Sequence, residues 1–288
     1  MELSLMTTNM LYGIAVKALE EHDLEEALVL YNEMMDLVET SGFDMIDITS
    51  LEFDLFGVDT VKEALKKRNL KVSSLIHFDK FASMEEADSA VLIEKAKNVI
   101  DLAKEIGTEI VMLVPQAQEN VLEYSRKALA DCLVKHWIPI AEYARAQGVH
   151  VVAEDTPDLR LPLCTTEELS YVLERVPGLE MVYDSGNMIL VDEDPVTYFE
   201  TFANQIAHIH LKDMIVTDDS NMLADTARDG RKMTAAPSGK GLLDFPTLLE
   251  HIKNSGYSGR LAIEYAKGND EDSLESLNHA QKYFEKLL

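Results

Sequence analysis

Residues 84–115 read MEEADSAVLIEKAKNVIDLAKEIGTEIVMLVP. Apolar and charged residues interleave at helical spacing up to Ile106. Gly107 then interrupts the pattern, and an apolar run of strand length follows at 109–115. Glycine at such a place admits the left-handed backbone in which helices close, where other side chains clash. The unit is a helix, a left-handed stop and a buried strand.

The same unit recurs along the chain. Strand-length runs stand at 3–8, 45–50, 72–78, 109–115, 150–155, 179–185, 207–213 and 261–265, with helical stretches between them. Gly42, Gly148 and Gly256 fall at helix ends just before a run, Asn69 takes that place before the third, and Gly178 serves the sixth. Asp23…Glu26 and Ser83…Glu86 have capping-box spacing and mark helix starts. Mostly apolar strands separated by helices are the signature of a parallel sheet covered by helices. Eight of them in one rhythm predict an α/β fold, a (β/α)8 TIM barrel, as a single domain over 1–288. The competing open, doubly wound sheet normally carries a glycine-rich phosphate loop, and neither GxGxxG nor GxxxxGKS/T occurs. The long connection at 214–243 lacks clear periodicity and follows the seventh strand. It is expected to be a lid-like loop on the face where barrels keep their chemistry.

Asp and Glu number 52 against 26 Lys and Arg, a formal charge of −26. Such a surface repels nucleic acid and anionic membranes, so neither is expected as a partner. No apolar run approaches the ~20 residues of a membrane span. Cys132 and Cys164 fit neither a disulfide framework nor a cysteine zinc site, and no basic residue precedes Lys17 as a secretory signal requires. The expectation is a cytoplasmic protein acting on a small molecule.

Period-two alternation predicts which strand residues face the barrel interior. Glu154 shares a face with Val152, Asp184 with Val182, His210 with His208 and Lys212, and Glu264 with Ala262. Four successive strands thus offer an inward ionisable group near their carboxyl ends. Three carboxylates at one mouth repel one another unless a cation neutralises them. With one imidazole they form an oxygen-rich ligand set, which suits Mn²⁺ or Mg²⁺ (with Co²⁺ or Zn²⁺ as alternatives). His208 lies one layer deeper and is expected to support the site rather than ligate. His77, read in phase with Ser73 and Leu75, is a candidate for a substrate hydroxyl.

With these residues in view, the chain resembles the sugar phosphate isomerase/epimerase superfamily. These are the xylose-isomerase-like barrels that include the AP endonuclease family 2-like proteins. AED at 153–155, VYDSGNM at 182–188, HIHLKD at 208–213, PSGKGLLDF at 237–245 and GYSGRLAIEY at 256–265 carry the likeness. They cover the second half in the expected order, while the first half matches only in rhythm. The resemblance implies one divalent metal held by Glu154, Asp184, His210 and Glu264. It also implies two catalytic glutamates, Glu154 and Glu264, and a homo-oligomer.

Such a site moves a proton through a metal-bound cis-enediolate, one Glu abstracting and the other returning it. Return to the same carbon is epimerisation, and return to its neighbour is aldose–ketose isomerisation. The expected activity is therefore isomerase or epimerase of a small ketose or ketose phosphate. The alternative is a metal-dependent dehydratase of an inosose or dehydroshikimate-type keto substrate, which expels a hydroxyl from the same intermediate. Asn187 stands where ketose 3-epimerases resembling this chain often carry a substrate-binding His, a departure that weakens assignment to those enzymes. Lys212 is a second candidate for substrate contact. Ser238 and Lys240, within Ser238-Gly239-Lys240-Gly241, are expected to form a backbone nest for a substrate phosphate.

Overall fold

A computed structural model describes residues 1–288 apart from Asn221, Tyr265 and 267–271. The end of the last predicted run at Tyr265 and one residue of the long connection, Asn221, therefore lie outside the described residues. The barrel staves are β1 (Glu2–Met6), β2 (Met45–Thr49), β3 (Lys71–Asp79), β4 (Ile110–Pro115), β5 (His150–Glu154), β6 (Leu179–Asp184), β7 (Ile206–Leu211) and β11 (Arg260–Glu264). They pair in the closed order β1-β11-β7-β6-β5-β4-β3-β2, the first strand meeting the last with Glu2 opposite Arg260 and Met6 opposite Glu264. This is the predicted eight-stranded barrel, with each expected run on its own stave.

Helices connect the staves. α1 (Thr8–Leu19) and α2 (Leu24–Thr40) follow β1, and α3 (Ser50–Phe56) and α4 (Val58–Lys67) follow β2. α5 (Glu86–Ile106), α6 (Arg126–Gln147), α7 (Thr166–Leu173) and α8 (Pro195–Phe202) follow the next four strands, with α9 (Phe245–Asn254) before β11 and α10 (Ser273–Glu285) after it. Gly107 and Gly148 cap α5 and α6 at φ +81° and +73°, the left-handed stop read from the sequence. Asp23 accepts the Glu26 N–H at 3.0 Å and caps α2. Ser83 is not the cap of α5. Extended Glu85 precedes that helix, and the Ser83 hydroxyl instead donates to Asp88 at 2.6 Å and accepts the Glu85 N–H. No described helix is long and apolar enough to cross a membrane.

Outward-facing Leu5, Ile46, Leu75, Val111, Val151, Tyr183, Ile209 and Ile263 belong to the large core under the helices. A second cluster, Met6, Ile76, Met112, Val152 and Val182, plugs the barrel interior. Full burial of each such side chain is worth about 1.5–3 kcal/mol. The interior is packed, and chemistry is confined to its mouth.

One irregularity alters the predicted phase. Ile46 pairs with Val72 but Asp47 pairs with Ser74, so Ser73 is an extra residue in β3. Ser73 turns inward to bond Asp47, and from there the alternation is displaced by one. Ile76 joins the interior plug with Phe78 packed on it, whereas Leu75 belongs to the outer core. His77 therefore faces outward with Leu75, contrary to the in-phase reading with Ser73.

The connection after β7 is not a structureless loop. β8 (Asp213–Val216), β9 (Asp225–Thr226) and β10 (Lys232–Ala236) form an antiparallel sheet in the order β8-β10-β9. Strands of two to five residues are too short to display the alternation by which strands are read.

Candidate metal and catalytic site at the barrel mouth

β5, β6, β7 and β11 are neighbours in the barrel, and their carboxyl ends deliver Glu154, Asp184, His210 and Glu264 to one mouth. Asp184 pairs directly with His210 across β6 and β7. Glu154, Asp184 and His210 each present a ligand atom within 4.8 Å of the other two, and His210 Nδ1 is 2.5 Å from Glu154 Oε1. Glu264 is outside that trio, but its carboxyl meets that of Asp184 directly, and its Oε1 is 3.0 Å from Lys212 Nζ. In strand order, the two glutamates flank the Asp184–His210 pair.

The electrostatics of this cluster are those of crowded carboxylates. Burial pushes the Asp184 carboxyl up to about 8; Lys212 and His210 pull it down, while Glu264 and Glu154 push it further up. Asp155, buried beside it, is raised by burial and by the Asp184 and Glu154 carboxylates. His210 is raised well above the usual imidazole range because Glu154 and Asp47 outweigh the lowering effect of burial. Burial alone would lift Glu264, but Lys212 and His210 hold it below its ordinary value. Asp184 Oδ1 accepts the N–H groups of Gly186 and Asn187 at 2.8 and 2.9 Å, yet its buried Oδ2 accepts no hydrogen bond. An orphaned carboxylate oxygen beside Glu154 and His210 fits a divalent cation in both charge and donor chemistry.

One participant, Asp47, is absent from the residues that the sequence pattern singles out. Asp47 lies inside the barrel and accepts hydrogen bonds from Ser4, Ser73, His208 (2.6 Å) and His210 (3.2 Å). Burial raises its carboxyl, and the two histidines more than reverse this, holding it well below the usual range. The signal was present, because an aspartate between Ile46 and Ile48 in an apolar strand must face a polar interior. His208 lies deeper than His210, as expected, with the two rings edge-on at 5.3 Å.

A cavity of about 680 Å³ opens above the cluster, bounded by Asn9 and Tyr12 of α1, by Thr49, Phe78 and Gln116, and by Lys212 and Glu264. Leu223, Ala224, Asp225, Thr234 and Ala235 from the long connection form another part of its wall. Asn187 is buried and fully engaged, its amide donating to the Asp155 carbonyl and accepting from Lys212 Nζ at 3.1 Å. His77 bonds Ser50 at 2.9 Å and lines an adjoining cleft with Asp54 and Lys95, which shares Phe78 and Gln116 with the cavity at the mouth.

The predicted phosphate nest exists, but its anion is internal. Gly239 and Gly241 donate to Asp213 Oδ2 at 2.9 and 2.8 Å, and Leu243 and Met214 donate to Oδ1. The Asp213 side chain thus fills the cradle, and neither Ser238 nor Lys240 lines the cavity at the mouth.

Comparison with known proteins agrees with this architecture. The family described as xylose isomerase-like TIM barrel matches residues 35–287. An inosose dehydratase of Lacticaseibacillus casei is 25% identical over 255 residues, covering 80% of each protein. Among solved structures, the IOLI protein with a binding zinc atom superposes with a TM-score of 0.74 at 17% identity, covering 100% of this chain and 98% of that one. An L-ribulose 3-epimerase gives 0.71 at 16% identity, covering 90% and 89%. At these identities the structural likeness establishes the fold alone. With a family match over most of its length and a closed eight-stranded barrel, the chain belongs to the xylose isomerase-like TIM barrel family, an enzyme superfamily.

Proposed function

We propose that this chain is a divalent-metal-dependent isomerase or epimerase of a small ketose. The observation that carries the reading is the placement of Glu154 and Glu264 on either side of the Asp184–His210 pair at one mouth. Glu154, Asp184, His210 and Glu264 would hold the cation, with Mn²⁺ the first choice for so oxygen-rich a set. When bound, the cation polarises a substrate carbonyl and acidifies the neighbouring C–H. Glu154 takes the proton on one side and Glu264 returns one from the other, each using the oxygen that does not ligate. Asn9, Thr49, Gln116 and Thr234 offer neutral polar groups to hydroxyls, and the 214–243 segment serves as the lid that excludes water.

The cavity wall favours an unphosphorylated sugar. Lys212 is the one cation among the cavity-lining residues described, against Asp225 and Glu264, and Asp213 already occupies the nest. A dehydratase is the second reading. It is supported by the L. casei relative and by the Lys212 ammonium beside Glu264, which can stabilise a departing hydroxyl.

One experiment separates them. The Mn²⁺-loaded protein is incubated in D₂O with ketoses, ketose phosphates and inososes. Deuterium at carbon with conserved mass supports the isomerase or epimerase, and loss of water with an absorbing enone supports the dehydratase. No exchange and no product across the panel sinks the enediolate reading.

A further inference from the structure

His210 offers its two ring nitrogens to opposite environments. Nδ1 faces Glu154 at the mouth, and Nε2 faces Asp47 in the barrel interior. An imidazole that ligates through one nitrogen has its tautomer fixed by the hydrogen bond of the other. An ionised carboxylate only accepts, so Asp47 keeps a hydrogen on Nε2, and Nδ1 is the nitrogen that can release the hydrogen it now gives Glu154 and turn a lone pair to a cation at the mouth.

Asp47 is itself held firmly. Oδ1 receives the hydroxyls of Ser4 and Ser73, Oδ2 receives both histidines, and its side chain has no solvent exposure. Ser73 reaches it only through the bulge in β3, so that irregularity has an evident use. Asp47, His208 and His210 also present ligand atoms within 4.8 Å of one another, but both Asp47 oxygens are taken up by the two serines and two histidines, and Asp47 meets the ligands of the mouth through His210. We propose that Asp47 is a positioning residue that sets the tautomer and ring plane of His210 for metal binding. This inference rests on the metal site of the proposed function.

The test uses Co²⁺ alone as the probe, followed by its visible absorption, on wild type, Asp47→Asn and His210→Ala. Thermal unfolding without metal is recorded in parallel. The expected result is Co²⁺ binding by wild type, loss in His210→Ala, and affinity ~10–100-fold weaker with a displaced absorption band in Asp47→Asn. A merely structural role would lower the melting temperature and leave affinity and band unchanged, which overturns the proposal. Should Asp47→Asn not fold, Ser73→Ala carries the test, because it removes one hydrogen bond to a carboxylate that stays charged. Weaker Co²⁺ binding there supports the proposal and unchanged binding overturns it. Failure of the metal site itself is distinguishable, because wild type would then bind no Co²⁺.

Discussion

Asp213 Oδ2 accepts the backbone N–H of Gly241 at 2.8 Å, and a Cβ on Gly241 would stand only 2.2 Å from Asp213 Oδ1. The end of HIHLKD and the centre of PSGKGLLDF are therefore one structural device. An aspartate follows the seventh stave, a glycine gives its amide room to approach, and the small sheet between them is closed at its base.

Removing the anion from that cradle leaves the amides of Met214, Gly239, Gly241 and Leu243 without an acceptor. Each buried unsatisfied group costs about 1–3 kcal/mol, reduced where water reaches it. Asp213→Ala is expected to lower urea-unfolding stability by roughly 2–4 kcal/mol and to hasten tryptic cleavage at Arg228 or Arg231. Gly241→Ala should act in the same direction through steric conflict. Unchanged cleavage in both variants would show that the segment is held by something else.

At the mouth, Asp184→Asn and His210→Ala should each lose bound divalent metal on elemental analysis, while His77→Ala, which faces outward, should retain it. Glu154→Gln and Glu264→Gln should lower kcat by ~10²–10⁴ with native circular dichroism, the range of a lost proton-transfer group. Normal turnover in either glutamine variant would place the proton shuttle elsewhere.

Lys212 makes an opposite-signed prediction for metal and for turnover. Its stem passes within 3.0 Å of where a Cβ on Gly186 would be, its head bonds Asn187 and Glu264, and nearby carboxylates hold it charged despite burial. A fixed positive charge among the ligands opposes a second cation. Lys212→Met should therefore tighten Mn²⁺ binding in a chelator competition, by about tenfold if ~1.4 kcal/mol of repulsion is relieved. Turnover should fall, since the group facing Glu264 is gone. Weaker metal binding would make Lys212 an organiser of the ligands instead.

What was legible in the sequence followed from the regularity of the barrel. Strand positions rest on apolar runs and helix stops on glycine, while the inward phase of Glu154, Asp184, His210 and Glu264 rests on alternation that holds toward the carboxyl ends of their strands, beyond the register shift at Met181/Val182. His77 was misplaced because nothing in Val72-Ser73-Ser74 announces a bulge, and one extra residue reverses every side chain beyond it. The nest was legible as an anion cradle, but its occupant was not. Asp213 stands 28 residues before Gly241, and no local rule relates the two. Asp47 is legible as an inward carboxylate between Ile46 and Ile48, but nothing local to β2 tells which partners it meets across the barrel.

A buried carboxyl outside the metal-ligand set gives a pH dependence of stability. Glu52 in α3 accepts the Thr49 N–H and the Tyr31 hydroxyl, both at 3.1 Å, and is fully enclosed. Burial raises its carboxyl from 4.5 to about 7, against the opposing effect of those two donors. Between these values the folded chain holds a proton that the unfolded chain has released. Stability from this group is therefore lost as pH rises from ~4.5 to ~7 and is level above, by at most about 3 kcal/mol. Glu52→Gln removes the titration while keeping an acceptor for Thr49 and allowing the amide to donate to the Tyr31 oxygen. Measured by urea unfolding, its stability relative to wild type should rise between pH 5 and pH 7.5 by about 1–3 kcal/mol. Parallel pH curves for the two proteins would mean that Glu52 is ionised in its pocket throughout, with the two hydrogen bonds outweighing the cost of burial.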